Sequence, residues 1–280
     1  SEEENFYLFG DSLETLEPIT PINQASFNYV HADDDGLFFI TNLEADNYRL
    51  VKILFADLHM VEVVSEDNFE LKGVSFVNDY LIADYIDHAD MKSAIVFFNH
   101  SGKQLDVTLP ESLRGTIGGF QSIGDDAIMF SVTSYTQPVQ YFSFDFTNNS
   151  LELLWEEAIP GFNPNDYTEV NTNYESKDGT MVPITYSYKK TTKLNKDTPI
   201  FLYAYGGYNI SIRPSFTPKY VAWLEMGGVL AVANIRGGGE FGKAWHNAGS
   251  LDTKQNVFDD FLYASKFLES NAIGLSLIHI

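Results

Sequence analysis

The sequence predicts two architectures in succession: a partial β-propeller, then the first part of a doubly wound α/β sheet. Three observations carry this. Strand-rich units recur at a period in the forties over the first 155 or so residues. From about residue 170 the pattern changes to nearly all-apolar strands followed by a helical period. Two of those strands empty into glycine clusters, as happens where a reacting group must lie against backbone at the carboxyl ends of parallel strands.

Taken in order, residues 37–40, 48–53, 60–64 and 80–85 are rich in β-branched and aromatic side chains and show no helical period. Hairpin-like units at 48–55, 94–107 and 141–154 begin about 46 to 47 residues apart. Two of them contain polar turns, His100-Ser101-Gly102-Lys103 and Thr147-Asn148-Asn149-Ser150. About three blades of four strands fit this spacing, with a β-sandwich of similar strand content as the alternative. Three blades do not close a ring, so either the propeller is open or further blades belong to it.

Residues 158–173 open with the turn-rich run Ile159-Pro160-Gly161-Phe162-Asn163-Pro164-Asn165 and read as a linker. Residues 167–174 and 182–189 alternate as a hairpin around Ser176-Lys177-Asp178-Gly179-Thr180. Residues 200–205 and 229–235 are nearly all apolar, as strands buried on both faces require. A helix is predicted over 257–269, with Val257, Phe261, Ala264 and Leu268 on one face. Asn256 is its expected N-cap, and Asp259 and Asp260 its expected first-turn acids.

Composition narrows the function. The 280 residues are 44% apolar and 15% aromatic, which describes a globular chain with a core. No apolar run approaches the roughly 20 residues of a membrane helix, and no signal-peptide pattern opens the chain. Ser1 in place of Met is expected to reflect a chain already cut at that end. A net charge of −22 argues against a nucleic-acid partner, because phosphate would be repelled. With no cysteine there is no disulfide, thiol nucleophile or thiolate metal site, which suits a reducing cytoplasm.

The motifs come last. Ser176-Lys177-Asp178-Gly179-Thr180, Tyr205-Gly206-Gly207-Tyr208-Asn209-Ile210-Ser211, the run from Gly227 through Arg236-Gly237-Gly238-Gly239-Glu240 to Gly242, Trp245-His246, and the run from Lys254 to Phe261 occur in that order. In this combination, over residues 174–270, the chain resembles the prolyl oligopeptidase family of serine peptidases. The resemblance implies a seven-bladed propeller joined to an α/β-hydrolase domain. On it, residues 1–157 are the propeller's last blades, 158–173 the linker and 174–273 the start of the peptidase domain. It further implies a monomeric cytoplasmic endopeptidase that cleaves short proline-containing peptides after proline, without cofactor, metal, nucleic acid or membrane. The alternative is a non-catalytic propeller protein or relic that keeps part of the hydrolase scaffold.

Acyl transfer needs a nucleophile, a base, an orienting acid and donors aimed at the oxyanion. By resemblance the Tyr205 hydroxyl is one such donor, and Tyr208 stands where the family places a phenylalanine in the proline pocket. Gly206, Gly207, Arg236, Gly237, Gly238 and Gly239 are expected to form the active-site loops. Without a following Gly-Lys-Ser/Thr, the Arg236 to Gly239 loop is not a phosphate site. His246 reads as structural, because the family's base lies near its C-terminus. His31, His59, His88, His100 and His279 have no partner at metal-ligand spacing and read as ordinary surface or loop residues. The acidic runs at 2–4, 33–35 and 125–126 read as solvated turns.

No Gly-x-Ser-x-Gly element occurs in these residues, and Gly274-Leu275-Ser276-Leu277-Ile278 departs from it at the last position. The family's serine, acid and base are expected beyond the helix at 257–269, and residues 274–280 are expected to be a non-native tail. Sequencing the locus and its messenger RNA beyond Ile273 checks this. The expected frame continues into Gly-x-Ser-x-Gly and a late histidine; an uninterrupted frame ending in the 274–280 tail is the contrary result.

Overall fold

The structure is a computed structural model, and it describes residues 7–9, 16–110, 113, 115–271, 273 and 276–277. The acidic run at 2–4, His279 and most of the 274–280 tail lie outside these residues. The chain forms two compact units, Ser1–Tyr85 with Ile95–Thr108, and Ile86–Ala94 with Leu109–Ile280.

The repeated part is a series of antiparallel meanders. After a two-stranded pair, β1 (Tyr7–Phe9) and β2 (Leu16–Pro18), the first sheet runs β3 (Phe27–Ala32), β4 (Gly36–Thr41), β5 (Arg49–Leu54) and β6 (Met60–Val64). The second runs β7 (Leu71–Val77), β8 (Tyr80–Asp87) and β9 (Lys92–Asn99). The third runs β10 (Thr116–Gly124), β11 (Ala127–Thr133), β12 (Gln140–Asp145) and β13 (Ser150–Glu156). Their first strands start at Phe27, Leu71 and Thr116, a spacing in the mid-forties. Each strand pairs with its sequence neighbour, which is propeller-blade topology; a Greek-key sandwich would pass strands between sheets. This settles the sandwich alternative in favour of a partial propeller.

Local chemistry explains the turns. At 100–103 the Asn99 carboxamide oxygen accepts the Ser101 and Lys103 N–H groups, and Gly102 takes φ +79°. In the first unit Phe27, Phe39, Val51 and Ile53 form a buried core in which the Phe27 and Phe39 rings meet edge-on, centroids 6.0 Å apart.

The second architecture is a five-stranded sheet in the order β14 (Tyr167–Glu175), β15 (Met181–Lys189), β17 (Val229–Ala233), β16 (Pro199–Tyr203) and β18 (Ser276–Leu277). The β14–β15 and β15–β17 pairs are antiparallel, and β16 is parallel to both its neighbours. Every residue of β17 is buried, and its alternation explains why. Val229, Ala231 and Ala233 face the cluster that holds Val257, Ala264 and Leu268 of α3 (Gln255–Ser270). Leu230 and Val232 face the cluster that holds Val221 and Leu224 of α1 (Pro218–Glu225). A strand covered by a helix on each face has no reason to alternate.

Two short helices were not anticipated, α1 and α2 (Gly242–Asn247). The signal for α1 was Pro218 at its first turn, where proline is pre-organised for a helix. The expected cap of α3 is also corrected. Lys254 occupies the N-cap position, Asn256 lies inside the helix and donates to the Ala248 carbonyl, and no acidic residue falls in the first turn.

Within the second unit the last blade is keyed into this sheet. Tyr135 is buried in the α1 cluster, and Glu169 on β14 accepts from the Ser134 hydroxyl at 2.5 Å and from the Thr136 N–H and hydroxyl at 3.0 and 2.7 Å. Leu268, fully buried on the inner face of α3, tests the packing directly. Leu268→Ala should cost about 2–5 kcal/mol in denaturant unfolding of the purified protein, with the slope unchanged. A loss below about 1 kcal/mol would mean that α3 does not pack as described.

Candidate active site

Because β16 and β17 are parallel neighbours, the loops leaving their carboxyl ends emerge on the same edge of the sheet. The first loop carries Tyr205 to Ser211, the second Asn234 to Phe241, and α3 begins beside them.

The two loops meet backbone to backbone, and glycine is what permits it. Gly206 has φ +60°, and a Cβ there would lie 2.6 Å from Ile235 Cγ1 and 2.8 Å from Val257 Cγ1. Gly237 has φ +90°, and its Cβ would lie 2.5 Å from the Gly206 carbonyl oxygen. Neither position accepts a side chain without moving the other loop. Gly207, Gly238 and Gly239 complete the turns: the Gly207 carbonyl accepts Ile210 N–H at 3.1 Å, Gly238 N–H donates to Ile235 at 3.4 Å, and the Gly239 carbonyl accepts Gly242 N–H at 3.1 Å.

Side chains then lock the pair. His246 is buried, with Nδ1 2.8 Å from the Gly237 carbonyl oxygen and 3.0 Å from the Asn209 nitrogen, so the ring bridges both loops. Its expected structural placement and its surroundings agree. Glu240, also buried, accepts the Ile212 N–H at 2.9 Å and the Asn234 side-chain amide at 3.1 Å through one carboxylate oxygen. The Asn234 amide in turn donates to the Ile212 carbonyl at 2.7 Å.

Arg236 anchors the second loop from below. Its Nε and one terminal nitrogen reach the two Asp260 oxygens at 2.9 and 2.6 Å, and its backbone N–H adds a third bond at 3.1 Å. The guanidinium also meets Asp178 at 2.5 and 3.2 Å. The Ser176 hydroxyl donates to Asp260 at 2.5 Å, and the Tyr174 hydroxyl to the Asp260 carbonyl at 2.8 Å. Asp260 and Arg236 are buried while Asp178 is half exposed. Hydrogen bonding from Arg236 holds the Asp178 carboxyl well below the usual carboxylate range.

Tyr205 and Tyr208 stand apart from this lock. Tyr205 is 44% exposed, and among the described residues its hydroxyl has no hydrogen-bond partner. Tyr208 is 82% exposed and holds φ +54°, a conformation a tyrosine rarely adopts. Strain of that kind persists only where the surroundings over-determine it, and here Asn209 is pinned on its far side. The site thus offers an exposed phenol at the end of a parallel strand, an exposed ring beside it, and a rigid backbone platform beneath.

Sequence reasoning missed Asp260, Asp178 and Glu240 as parts of the platform. Asp260 was read as a helix-dipole acid, yet it is the buried partner of Arg236. His88 lies in the loop between β8 and β9, half-buried, its ring tilted against Phe241 with centroids 4.2 Å apart, and burial pulls its pKa down. His31 stacks on Phe76 at 4.3 Å. Among the described residues no group of three or more His, Asp or Glu side chains is placed to hold a metal.

Comparison with known proteins gives the context. Residues 1–157 match the family model for the prolyl oligopeptidase N-terminal beta-propeller domain, and residues 214–274 match the model for the prolyl oligopeptidase family. A prolyl endopeptidase of Elizabethkingia miricola is 36% identical over 259 residues, covering 91% of this chain and 36% of the relative. One from Dictyostelium discoideum is 34% identical, covering 87% of this chain and 34% of the relative. Among solved structures, prolyl oligopeptidase B from Galerina marginata, bound to a 35mer hydrolysis and macrocyclization substrate, superposes with TM-score 0.88 at 26% identity, covering 99% of this chain and 41% of that one. A structure from a study of two prolyl endopeptidases and their inter-domain dynamics superposes with TM-score 0.85 at 33% identity, covering 96% and 40%. The chain therefore spans little more than a third of the length of these curated relatives.

The lock predicts its own sensitivity. Asp260→Ala should destabilise the purified protein by about 3–5 kcal/mol, because it leaves the buried Arg236 uncompensated. Asp178→Asn should cost far less, since water already screens that carboxylate. As the folded Asp178 carboxyl titrates below its unfolded counterpart, its contribution is fully present above the ordinary carboxylate range and is lost progressively as the pH falls from that range toward the lower folded value. Acid unfolding of wild type and Asp178→Asn should converge at low pH; a gap that widens on acidification is the contrary result.

Proposed function

The chain belongs to the prolyl oligopeptidase family, and on that footing we propose that it is part of a serine endopeptidase that hydrolyses short peptides on the carboxyl side of proline through an acyl-enzyme. The observation that carries this is the pair of interlocked glycine loops at parallel strand ends, which leaves the Tyr205 hydroxyl exposed and, among the described residues, without a hydrogen-bond partner beside a rigid backbone. Such a donor stabilises charge only where it forms, on the carbonyl oxygen of the tetrahedral intermediate, and a fixed platform spares reorganisation at that moment.

In this reading Tyr205 donates to the oxyanion alongside a backbone N–H near the serine. Tyr208 lines the pocket for the proline ring, its phenol adding a polar edge that needs water or a substrate group as partner. Gly206, Gly207, Gly237, Gly238 and Gly239 shape the loops, and Arg236 holds them. The propeller restricts entry to small peptides. The enzyme works as a cytoplasmic monomer without metal, cofactor, nucleic acid or membrane. Serine, acid and base come from polypeptide beyond these 280 residues, which hold no Gly-x-Ser-x-Gly element. The 280 residues alone form no acyl-enzyme and fold poorly by themselves, because open sheet faces stay uncovered.

A fluorogenic proline peptide and the full-length gene product test the reading. Cleavage after proline is expected, and Tyr205→Phe should lower kcat by about 10²- to 10³-fold, the usual loss of one oxyanion donor. No serine of the isolated 280 residues should react with a fluorophosphonate probe. A full-length product that leaves proline peptides intact contradicts the peptidase reading and favours a non-catalytic propeller protein; unchanged turnover in Tyr205→Phe removes the assigned role.

A further inference from the structure

The run from Lys254 to Phe261 supplies Asp260 to the Arg236 lock, but its first residue serves no fold purpose so far described. Lys254 occupies the N-cap of α3 with φ −56° and makes no side-chain cap. The 3-10 turn Leu251–Thr253 runs directly into α3, and its start is closed upstream, where the Ser250 N–H donates to the Thr253 hydroxyl at 3.2 Å. Lys254 thus sits where two helical segments join, its backbone N–H donating to the Leu251 carbonyl, and its side chain is not needed as a cap.

The Lys254 ammonium donates to the Gly206 carbonyl oxygen at 2.8 Å, in the loop that carries Tyr205. A Cβ at Gly207 would lie 3.9 Å from both Lys254 Nζ and Tyr205 Cε1, so the ammonium, the Gly206–Gly207 peptide and the edge of the phenol ring share one small space. Gly206 itself is packed against Ile235 and Val257, where a Cβ would lie 2.6 to 2.8 Å from their side chains, so the peptide the lysine grips has little room to move. The bond is charge-assisted and joins the first turn of α3 directly to the residue following Tyr205.

We propose that Lys254 is a positioning residue: by gripping the Gly206 carbonyl it fixes the Tyr205-Gly206-Gly207 backbone and so aims the Tyr205 hydroxyl at the oxyanion. The proposal rests on the reading of Tyr205 as an oxyanion donor. The lysine touches no reacting atom. It acts through the tyrosine, and its effect therefore vanishes when the tyrosine hydroxyl is gone.

Four forms of the full-length gene product test this on a fluorogenic proline peptide: Lys254→Met, Lys254→Arg, Tyr205→Phe, and Lys254→Met combined with Tyr205→Phe. Lys254→Met is expected to lower kcat about tenfold with KM changed less than about twofold, the size of one charge-assisted hydrogen bond acting only in the transition state. Lys254→Arg, which keeps the charge and a donor, should recover most of that loss. In the Tyr205→Phe background, Lys254→Met should change kcat less than about twofold. Thermal midpoints of all four are measured alongside. An equal kcat loss in both backgrounds, a loss confined to KM, or a kcat loss that tracks a lowered thermal midpoint in Lys254→Met and Lys254→Arg alike would overturn the proposal. If Tyr205→Phe itself leaves turnover intact, the tyrosine reading fails first and the proposal falls with it; if Tyr205→Phe is impaired while Lys254→Met is not, only the proposal fails.

Discussion

The buried contact between Arg236 and Asp260 is the constraint from which the rest of the site follows. It joins three parts of the chain: the hairpin turn through Ser176 and Asp178, the glycine loop at Arg236, and the start of α3 at Asp260. Burying two charges is costly unless geometry and further hydrogen bonds compensate, and here both Asp260 oxygens and its carbonyl are engaged. Such a pair adds little net stability compared with apolar side chains of similar size. What it adds is uniqueness of arrangement, because a buried charge tolerates only the geometry that pairs it.

From that fixed point the loops can be followed outward. Arg236 sets the start of the second loop, Gly237 lets it touch Gly206, and His246 and Glu240 tie the first loop to it on the far side. Little freedom remains for the backbone between Gly206 and Asn209. The strained φ of Tyr208 and the exposed Tyr205 phenol are the parts left pointing away from this platform.

Much of this was legible in the residues. The apolar runs at 200–205 and 229–235 announced strands covered on both faces, and β17 turned out buried at every position because α1 and α3 flank it. The period in the forties announced the blades, and their consecutive pairing excluded a sandwich. What stayed hidden was tertiary. Asp260 looks like a helix-dipole carboxylate until the fold brings Arg236, 24 residues away, against it. Lys254 looks like an ordinary surface lysine until the fold brings the Gly206 carbonyl, 48 residues away, against it. Helix α1 is short and begins after loop-like sequence, so only Pro218 hinted at it. Periodicity reports which face an element buries, and it does not report which polar group meets another across the fold.

The central claim, that Arg236 and Asp260 act through arrangement and not through stability, is tested most directly by replacing both at once. In full-length protein carrying Arg236→Met with Asp260→Leu, the account predicts a thermal midpoint close to wild type together with turnover of a proline peptide lowered by about tenfold or more, since apolar packing restores burial but not loop geometry. Turnover preserved in that double variant would contradict it.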